Sequence, residues 1–278
     1  VTAFNSLRQN VPNLTAGDLF GSNMFNMFLL AVLDIFNQRA RILRKVAFTH
    51  ALTAALATSL AGLVVFFILA DIPWQIGWVG VDSLVILVVY IGGIRLIQLQ
   101  GQQSGAAVDL PVEPGRRPIK LWQALVGFGA AAIVLLLAVP YLVSSGAEIA
   151  HITGLGTGFV GIILVALVTS LPELVSALAA TRLGAFDLAV GNLFGSNVFN
   201  MFAVGLVDVF YTQGRFLGAI DPTFALAGLL GLLLTNLALV GNLARLERRF
   251  LFVEIDALLL IVVYFAGLWL LYSRGIGL

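Results

Sequence analysis

A short polar motif interrupts one of the most apolar stretches of the chain. Thr169-Ser170-Leu171-Pro172-Glu173 lies in the middle of an apolar segment over 154–182. Because proline has no backbone N–H, Pro172 leaves the carbonyl of Val168 without its helical partner. Thr169 and Glu173 are spaced i, i+4 and therefore share one helix face. The motif predicts a cluster of hydroxyl, carbonyl and carboxylate oxygens, which suits hard cations such as Ca²⁺ or Na⁺ rather than soft metals.

A second polar pattern occurs twice. The twelve residues from Gly17 to Phe28 return as the segment from Gly191 to Phe202, with ten of the twelve identical and an offset of 174. Each copy carries a serine and an asparagine at i, i+4, namely Ser22 with Asn26 and Ser196 with Asn200. The glycines of both copies have the small-xxx-small spacing that predicts close helix contacts, at Gly17, Gly21, Gly191 and Gly195.

The same offset relates residues far beyond this motif. The identical pairs include Arg8 with Arg182, Asp34 with Asp208, Arg41 with Arg215, Asp82 with Asp256 and Tyr90 with Tyr264. No gap is needed across this alignment. A long-period duplication of hydrophobic segments is a known way to build a transporter.

Composition defines the class of protein. The chain is 60% hydrophobic and 10% charged, with a mean hydropathy of +1.04, whereas soluble domains carry about 25% charged residues. About 20 apolar residues cross the hydrocarbon core. The apolar stretches predict eight full spans and a remnant at 1–8: 12–36, 46–70, 75–98, 119–144, 154–182, 187–210, 219–243 and 250–273. We therefore expect an all-α polytopic membrane protein in contact with membrane lipid.

Cysteine usage and charge exclude other classes of site. The chain has no cysteine, so disulfides and thiolate metal sites are excluded. The net charge is +1, and no basic run is long enough to indicate nucleic-acid binding. We expect no cofactor and no catalytic residue.

Basic residues predict the orientation. When helix ends alternate between sides, one side receives twelve Lys or Arg and the other receives only Arg8, Arg215 and Arg274. The rich side holds Arg39, Arg41, Arg44, Lys45, Arg95, Arg116, Arg117, Lys120, Arg182, Arg245, Arg248 and Arg249. The positive-inside rule predicts that this side is cytoplasmic, that the linker 99–118 is cytoplasmic and that the C-terminus lies outside, in the cell membrane.

The repeat predicts two halves of five helices each. The first half covers 1–98, the linker 99–118 follows, and the second half covers 119–278. Because five spans is an odd number, the second copy has inverted topology. Val1 aligns with Val175, so the first half is expected to lack its first helix and most of its second.

The duplication also predicts what precedes Val1. The repeat partner of Glu173 would fall two residues before Val1. We expect the genomic sequence upstream to encode a Thr-Ser-x-Pro-Glu that ends at that position. We expect residues 1–278 alone not to support exchange, and a form with about 55 more N-terminal residues to support it. Transport by the short form in proteoliposomes would contradict this expectation.

The motifs together resemble a known family. Thr-Ser-Leu-Pro-Glu followed by Gly-Asn-Leu-Phe-Gly-Ser-Asn-Val-Phe-Asn resembles the α-repeat of the sodium/calcium exchanger (cation/Ca²⁺ antiporter) superfamily. The resemblance implies that the repeats meet near the membrane midplane and bind Ca²⁺ or the counter-transported ion. It implies a site of Thr169, Ser170, Glu173, Ser196 and Asn200 from the second repeat and Ser22 and Asn26 from the first.

The resemblance implies exchange of Ca²⁺ for Na⁺, or for H⁺, by alternating access. It leaves open the counter-ion, the dependence on K⁺, the direction of flux and the oligomeric state. The proton/Ca²⁺ branch has Glu-His after its Gly-Asn, where this chain has Leu193 and Phe194, and the K⁺-dependent branch has Asp in place of Asn200. Both branches are disfavoured for this chain.

Other interpretations of these residues stay open. Glu173 could be a structural carboxylate, and Ser196 and Asn200 could hydrogen-bond between helices. Asn23 and Asn197 are expected to serve helix packing. The same holds for the aromatic residues of the repeat, Phe25, Phe28, Phe199 and Phe202.

The remaining polar residues favour structural roles. Asp82 and Asp256 are expected to be caps or internally hydrogen-bonded, and His50 to be a packed histidine. Asp34 and Asp208, at helix ends, are expected to be interfacial.

Two other functions are possible from sequence. An intramembrane serine enzyme would use Ser170 or Ser196, but the only histidines, His50 and His151, lie near span ends, and no lysine lies within a span to act as the base. A membrane protein of the same fold that does not transport is the other alternative.

Overall fold

The structure is a computed structural model that describes residues 2–36, 50–103, 121–244, 249–250 and 253–276. The first helices are α1 (Thr2–Arg8), α2 (Pro12–Phe36), α3 (Ala51–Ala70), α4 (Val81–Gln103) and α5 (Leu121–Thr153). A broken helix follows, made of α6 (Thr157–Val160), a π-helical turn (Gly161–Val165), α7 (Ala166–Thr169) and α8 (Leu171–Arg182). The last helices are α9 (Phe186–Phe210), α10 (Phe216–Ala219), α11 (Phe224–Ala244) and α12 (Ile255–Ser273).

The described helices confirm a multi-pass, all-α membrane protein. Seven of them are long and apolar enough to cross a bilayer, and the broken helix makes an eighth span if its two parts count together. Helix α4 continues to Gln103, four residues beyond the predicted start of the linker at 99. The rest of that linker and many of the orienting basic residues lie outside the described residues: Arg39, Arg41, Arg44, Lys45, Arg116, Arg117, Lys120, Arg245 and Arg248.

Two short hairpins stand where sequence predicted the start of a span. Strands β1 (Gln75–Ile76) and β2 (Val79–Gly80) pair antiparallel, as do β3 (Arg249–Phe250) and β4 (Val253–Glu254). Each strand of the second hairpin lies 174 residues after the matching strand of the first, so the two hairpins correspond in the repeat. The spans predicted to begin at 75 and 250 therefore begin at Val81 and Ile255, after the hairpins.

Because these two helices begin later than predicted, two aspartates that correspond in the repeat lie close to the helix starts. Asp82 and Asp256 lie in the first turns of α4 and α12 rather than deeper inside them. The Ser83 N–H donates to Asp82 Oδ1 at 2.7 Å, and the Ala257 N–H donates to Asp256 Oδ1 at 3.0 Å. These bonds confirm the expected internal hydrogen bonding, because the orphan N–H groups of a first helical turn need acceptors.

Helix α2 is the centre of the structure. In its most apolar 18-residue window 78% of the residues are buried inside the protein, against 13% for α5, so α2 is enclosed by other helices whereas α5 is largely exposed. It packs against the broken helix and against α9, α11 and α12. The core residues on α2 include Phe20, Met24 and Leu30, which are essentially fully buried.

Glycines let α2 and the broken helix touch backbone to backbone. A Cβ at Gly21 would lie 2.5 Å from the Ile162 carbonyl oxygen and 2.6 Å from Ile162 Cα. A Cβ at Gly161 would lie 2.8 Å from the Leu14 carbonyl oxygen. The predicted close contact at Gly17 and Gly21 is confirmed, since Gly17 also leaves no room for a side chain beside Gly158 and Gly161.

The second copy of the glycine pattern packs differently. Gly191 lies against His50, where a Cβ would be 2.8 Å from His50 Cε1, and no described atom lies within 4 Å of a Cβ at Gly195. The predicted close helix contact is therefore wrong for Gly195.

His50 is a packed histidine, as its sequence context predicts. Its Nε2 lies 3.7 Å from Asp187 Oδ1, and its side chain is 18% exposed. Burial lowers the pKa of His50, and the Asp187 carboxylate opposes that shift. The neutral imidazole is therefore the form that the fold favours.

Aromatic stacks join the two copies. Phe28 stacks on Tyr264 with ring centroids 4.7 Å apart, and Phe202 stacks on Tyr90 at 4.2 Å. Phe28 corresponds to Phe202 and Tyr264 to Tyr90 at the offset of 174, so the two stacks are equivalent in the repeat. Phe25 and Phe199 pack beside these rings, at 5.8 and 5.7 Å from Phe28 and Phe202 respectively. The predicted packing role is confirmed for Phe25, Phe28 and Phe202, whereas Phe199 is 54% exposed.

A charged cluster holds one end of the bundle together. Arg215 donates to Asp71 at 2.5 Å, to Asp82 at 3.2 Å and to the Ile72 carbonyl. Asp208 accepts from the backbone N–H groups of Gly80 and Phe216 at 2.7 and 2.6 Å. Asp208 and Asp34 lie near the ends of α9 and α2, but both are buried rather than exposed at an interface, because the protein supplies their partners.

The close contact at Gly21 yields a stability prediction. Gly21→Ala should lower the free energy of unfolding by ~1–3 kcal/mol, since the added methyl meets backbone that cannot move aside. The matched control is Gly92→Ala on α4, where a Cβ meets nothing within 4 Å and where the repeat carries Ala266. That control should be neutral or stabilising by up to ~1 kcal/mol. Thermal unfolding of purified protein in detergent measures both, and equal midpoints for the two variants would contradict the close packing.

Candidate functional site

The polar motif breaks the helix that carries it. Helix α7 ends at Thr169 and α8 begins at Leu171, and the two parts are bent by 43°. Ser170 forms the junction with φ −90° and ψ 3°, and Pro172 occupies the first turn of α8, where a missing N–H costs nothing. A π-helical turn at Gly161–Val165 precedes the break. The break at Ser170 separates Thr169 from Glu173, so the expectation that these two residues share the face of one continuous helix is wrong.

Hydroxyl groups from the motif meet α2. Ser170 Oγ donates to Ser22 Oγ at 3.0 Å, and Thr169 Oγ1 lies 3.4 Å from the same Ser22 oxygen. Ser170 and Ser22 are buried. The structure therefore brings together three of the predicted site residues, one from the first copy and two from the second.

Sequence reasoning missed a carboxylate in this cluster. Asp18, which is 5% exposed, accepts a hydrogen bond from Thr169 Oγ1 at 2.5 Å. It lies one turn before Ser22 on the same face of α2. The available signal was the repeat itself, since Asp18 is one of the two positions where the twelve-residue copies differ, its partner being Asn192.

Glu173 and Ser196 form the second group. Ser196 Oγ donates to Glu173 Oε1 at 3.1 Å, and the Asn192 side chain donates to the Glu173 backbone carbonyl at 3.4 Å. Glu173 Oε2 is buried and has no hydrogen-bond partner among the described residues. One oxygen of a carboxylate inside the membrane is thus left with an unused acceptor, which a cation could fill.

Four asparagines form the third group at the crossing of α2 and α9. Asn26 Nδ2 donates to Asn197 Oδ1, and Asn200 Nδ2 donates to Asn23 Oδ1, each at 2.9 Å. Asn197 Nδ2 also donates to the Asn23 carbonyl at 3.3 Å. Because residue 26 meets 197 while 23 meets 200, the two helices run antiparallel here.

The asparagine bonds separate two kinds of residue. Asn23 and Asn197 join the helices, which agrees with their predicted packing role. Asn26 and Asn200 bond to these partners and not to one another. Asn26 is fully buried, and its Oδ1 has no hydrogen-bond partner among the described residues. The amide nitrogen of Asn26 is therefore engaged while its oxygen is left as a possible ligand.

All seven predicted residues lie on three neighbouring elements. Helix α2 carries Ser22 and Asn26, the broken helix carries Thr169, Ser170 and Glu173, and α9 carries Ser196 and Asn200. These elements pack on one another. The donors are carboxylate, hydroxyl and amide oxygens, which is the set that Ca²⁺ and Na⁺ prefer.

A separate acidic cluster lies at other helix ends. Carboxylate oxygens of Asp34, Glu254 and Asp256 approach within 4.8 Å of one another. Asp34 and Asp256 are the repeat partners of Asp208 and Asp82, which belong to the Arg215 cluster. This symmetry indicates a structural role for the carboxylates at helix ends.

Fold and site together define a multi-pass helical membrane protein with hydroxyl and carboxylate oxygens gathered at a helix break. A sequence profile described as "Sodium/calcium exchanger protein" matches residues 1–97 and 123–273. The chain belongs to the sodium/calcium exchanger family, which is a family of transporters rather than enzymes. The unmatched stretch 98–122 includes the predicted linker.

Curated relatives carry names of transporters and membrane proteins. The chain is 33% identical over 159 residues to "Putative antiporter CaxA" of Alkalimonas amylolytica, covering 56% of this chain and 48% of that protein. It is 27% identical over 222 residues to "Inner membrane protein YrbG" of Escherichia coli, covering 76% and 62%. It is 42% identical over 82 residues to "Sodium/calcium exchanger MaX1" of Methanosarcina acetivorans, covering 29% and 23%. The chain spans less than two thirds of each of these relatives.

The asparagine network yields a second stability prediction. Asn197→Ala should lower the free energy of unfolding by ~1–3 kcal/mol, because it leaves the buried Asn26 amide unpaired. Asn200→Ala should cost less, since Asn200 is only partly buried and makes one of these bonds. Unfolding followed by tryptophan fluorescence in detergent measures both variants. If Asn200→Ala lowers the free energy of unfolding more than Asn197→Ala does, the conclusion that Asn197 contributes most to this network is wrong.

Proposed function

We propose that the protein is a secondary active antiporter that exchanges Ca²⁺ for Na⁺, or for H⁺, across the membrane. The observation that carries the proposal is Glu173, whose second carboxylate oxygen is buried at a helix break and has no hydrogen-bond partner in the part of the chain that the structure describes. An ionisable group at this depth is expensive unless it is paired or functional. The family and the antiporter names of two relatives support transport of cations.

Glu173 is the proposed anionic ligand of Ca²⁺. Hydroxyl oxygens of Ser22, Thr169, Ser170 and Ser196 and amide oxygens of Asn26 and Asn200 complete the proposed set. Ca²⁺ takes six to eight oxygen ligands, so this set is large enough for one ion, with water if needed. The helix break supports the same role, since irregular backbone within a membrane is tolerated where it lines a site.

Exchange follows if both ions use the same oxygens. A site that holds either Ca²⁺ or the counter-ion, but not both together, couples the two fluxes when it opens to one side at a time. Two halves, 1–98 and 119–278, would move around the site, with the linker 99–118 between them. The reciprocal asparagine hydrogen bonds between α2 and α9 support an inverted relation of the two halves.

The proposed orientation follows the positive-inside rule. Twelve basic residues lie on the proposed cytoplasmic side and three on the other. The linker is then cytoplasmic, the C-terminus lies outside, and the cell membrane is the proposed location.

Replacement of Glu173 tests the proposal. In the intact protein, Glu173→Gln keeps the shape and removes the charge. Calcium uptake into vesicles driven by a Na⁺ gradient should fall at least ~10-fold, because a loss of only ~1.4 kcal/mol in ion binding changes affinity tenfold. Varying the Na⁺ and pH gradients separately identifies the counter-ion.

The matched control is Glu148→Gln, which removes an exposed carboxylate on α5. That variant should retain uptake. Undiminished uptake by Glu173→Gln, with uptake by the unmodified protein established, would disprove the role of Glu173.

A further inference from the structure

Asp18 is a second carboxylate among the proposed ligands. It lies in the second turn of α2 and is 5% exposed. Its contact is the Thr169 hydroxyl at 2.5 Å, and it forms no ion pair with any lysine or arginine side chain among the described residues. This differs from the carboxylates at the helix ends, such as Asp82, which pair with Arg215 or with backbone N–H groups.

The hydrogen bond to Asp18 orients the oxygens around it. A hydroxyl has one hydrogen and two lone pairs. The Thr169 hydroxyl has Asp18 Oδ1 at 2.5 Å and the Val165 carbonyl oxygen at 3.0 Å as acceptors for its one hydrogen, and its oxygen lies 3.4 Å from Ser22 Oγ. Thr15, one turn before Asp18, adds a buried hydroxyl that has no hydrogen-bond partner among the described residues. An unfilled acceptor beside a buried carboxylate is what a cation site requires.

The two copies of the repeat carry different groups at this position. The equivalent residue in the second copy is Asn192, whose amide donates to the Glu173 backbone carbonyl at 3.4 Å. A carboxylate cannot make that bond when ionised, because it only accepts. The same place in the fold thus carries a neutral donor in one copy and a negative group in the other.

We propose that Asp18 is an additional anionic ligand of the transported cation and favours divalent over monovalent ions. This inference rests on the proposed function. Asp18 would bind from the α2 side, together with Thr169 and Ser22, while Glu173 binds from the side of α9. Coulomb energy scales with the product of the charges, so a carboxylate attracts Ca²⁺ about twice as strongly as Na⁺ at the same distance.

The test is Asp18→Asn in the intact protein, which installs the residue that the second copy already carries. Binding of Ca²⁺ is measured by calorimetry in detergent, and Na⁺ by its competition with Ca²⁺. We expect Ca²⁺ affinity to fall at least ~10-fold and Na⁺ affinity only ~3-fold, because the logarithm of the change doubles with the ionic charge. Asp18→Glu should keep the ratio of the two affinities within ~3-fold of the unmodified protein, and Glu148→Gln should change neither affinity.

Unchanged affinities in Asp18→Asn would overturn the proposal, as would equal fold-changes for Ca²⁺ and Na⁺, which indicate a purely structural role. If Asp18→Asn does not fold, Asp18→Glu decides: a retained ratio supports the proposal and a lost preference with an intact fold overturns it. Binding needs no transport, so the test is independent of exchange. If Asp18→Asn leaves both affinities unchanged while Glu173→Gln still abolishes uptake, the proposal for Asp18 fails and the proposed function stands.

Discussion

The backbone contact between α2 and the broken helix determines the rest of the structure. In a bilayer, helices gain little from burying apolar surface against each other, so close packing of small residues supplies the attraction. Gly21 and Gly161 remove the side chains that would hold the two backbones apart. As a result, Ser22 reaches Ser170 and Asp18 reaches Thr169. A larger residue at either glycine would separate these oxygens before any ion could bind them.

The duplication acts at the level of contacts as well as residues. An asparagine of each copy donates a hydrogen bond to an asparagine of the other. A phenylalanine of each copy also stacks on a tyrosine of the other. Such reciprocal pairs are what a two-fold relation requires, since one contact implies its mirror partner. These reciprocal contacts hold the two halves together at the site. The copies differ at two positions of the motif, and Asp18 opposite Asn192 is the chemically larger difference.

The carboxylates fall into two groups by their partners. Asp82 and Asp208 lie near helix ends, where Arg215 and backbone N–H groups satisfy them. Glu173 and Asp18 lie within the spans and contact hydroxyl groups. A hydroxyl relieves only part of the cost of burying a charge. The first group therefore stabilises the fold, whereas the second group is the one proposed to bind the transported cation.

Local patterns determined much of this protein from sequence alone. Hydropathy predicts the spans, Pro172 predicts a lost helical hydrogen bond at the polar motif, and the offset of 174 predicts which residues correspond. These features depend on neighbours along the chain, and they locate Glu173, Ser196 and Asn26 as ligands to consider. The helix starts at Val81 and Ile255 were misplaced, because the apolar residues of the hairpins resemble the spans that follow them.

Only the tertiary structure decided which oxygens meet. Sequence cannot show that Asn26 bonds to Asn197 rather than to Asn200, that Gly195 has no close neighbour among the described residues, or that Asp18 bonds to Thr169. These contacts depend on how each helix is rotated and how closely it approaches the next. Helix periodicity places side chains on a face, but packing against other helices determines what that face touches.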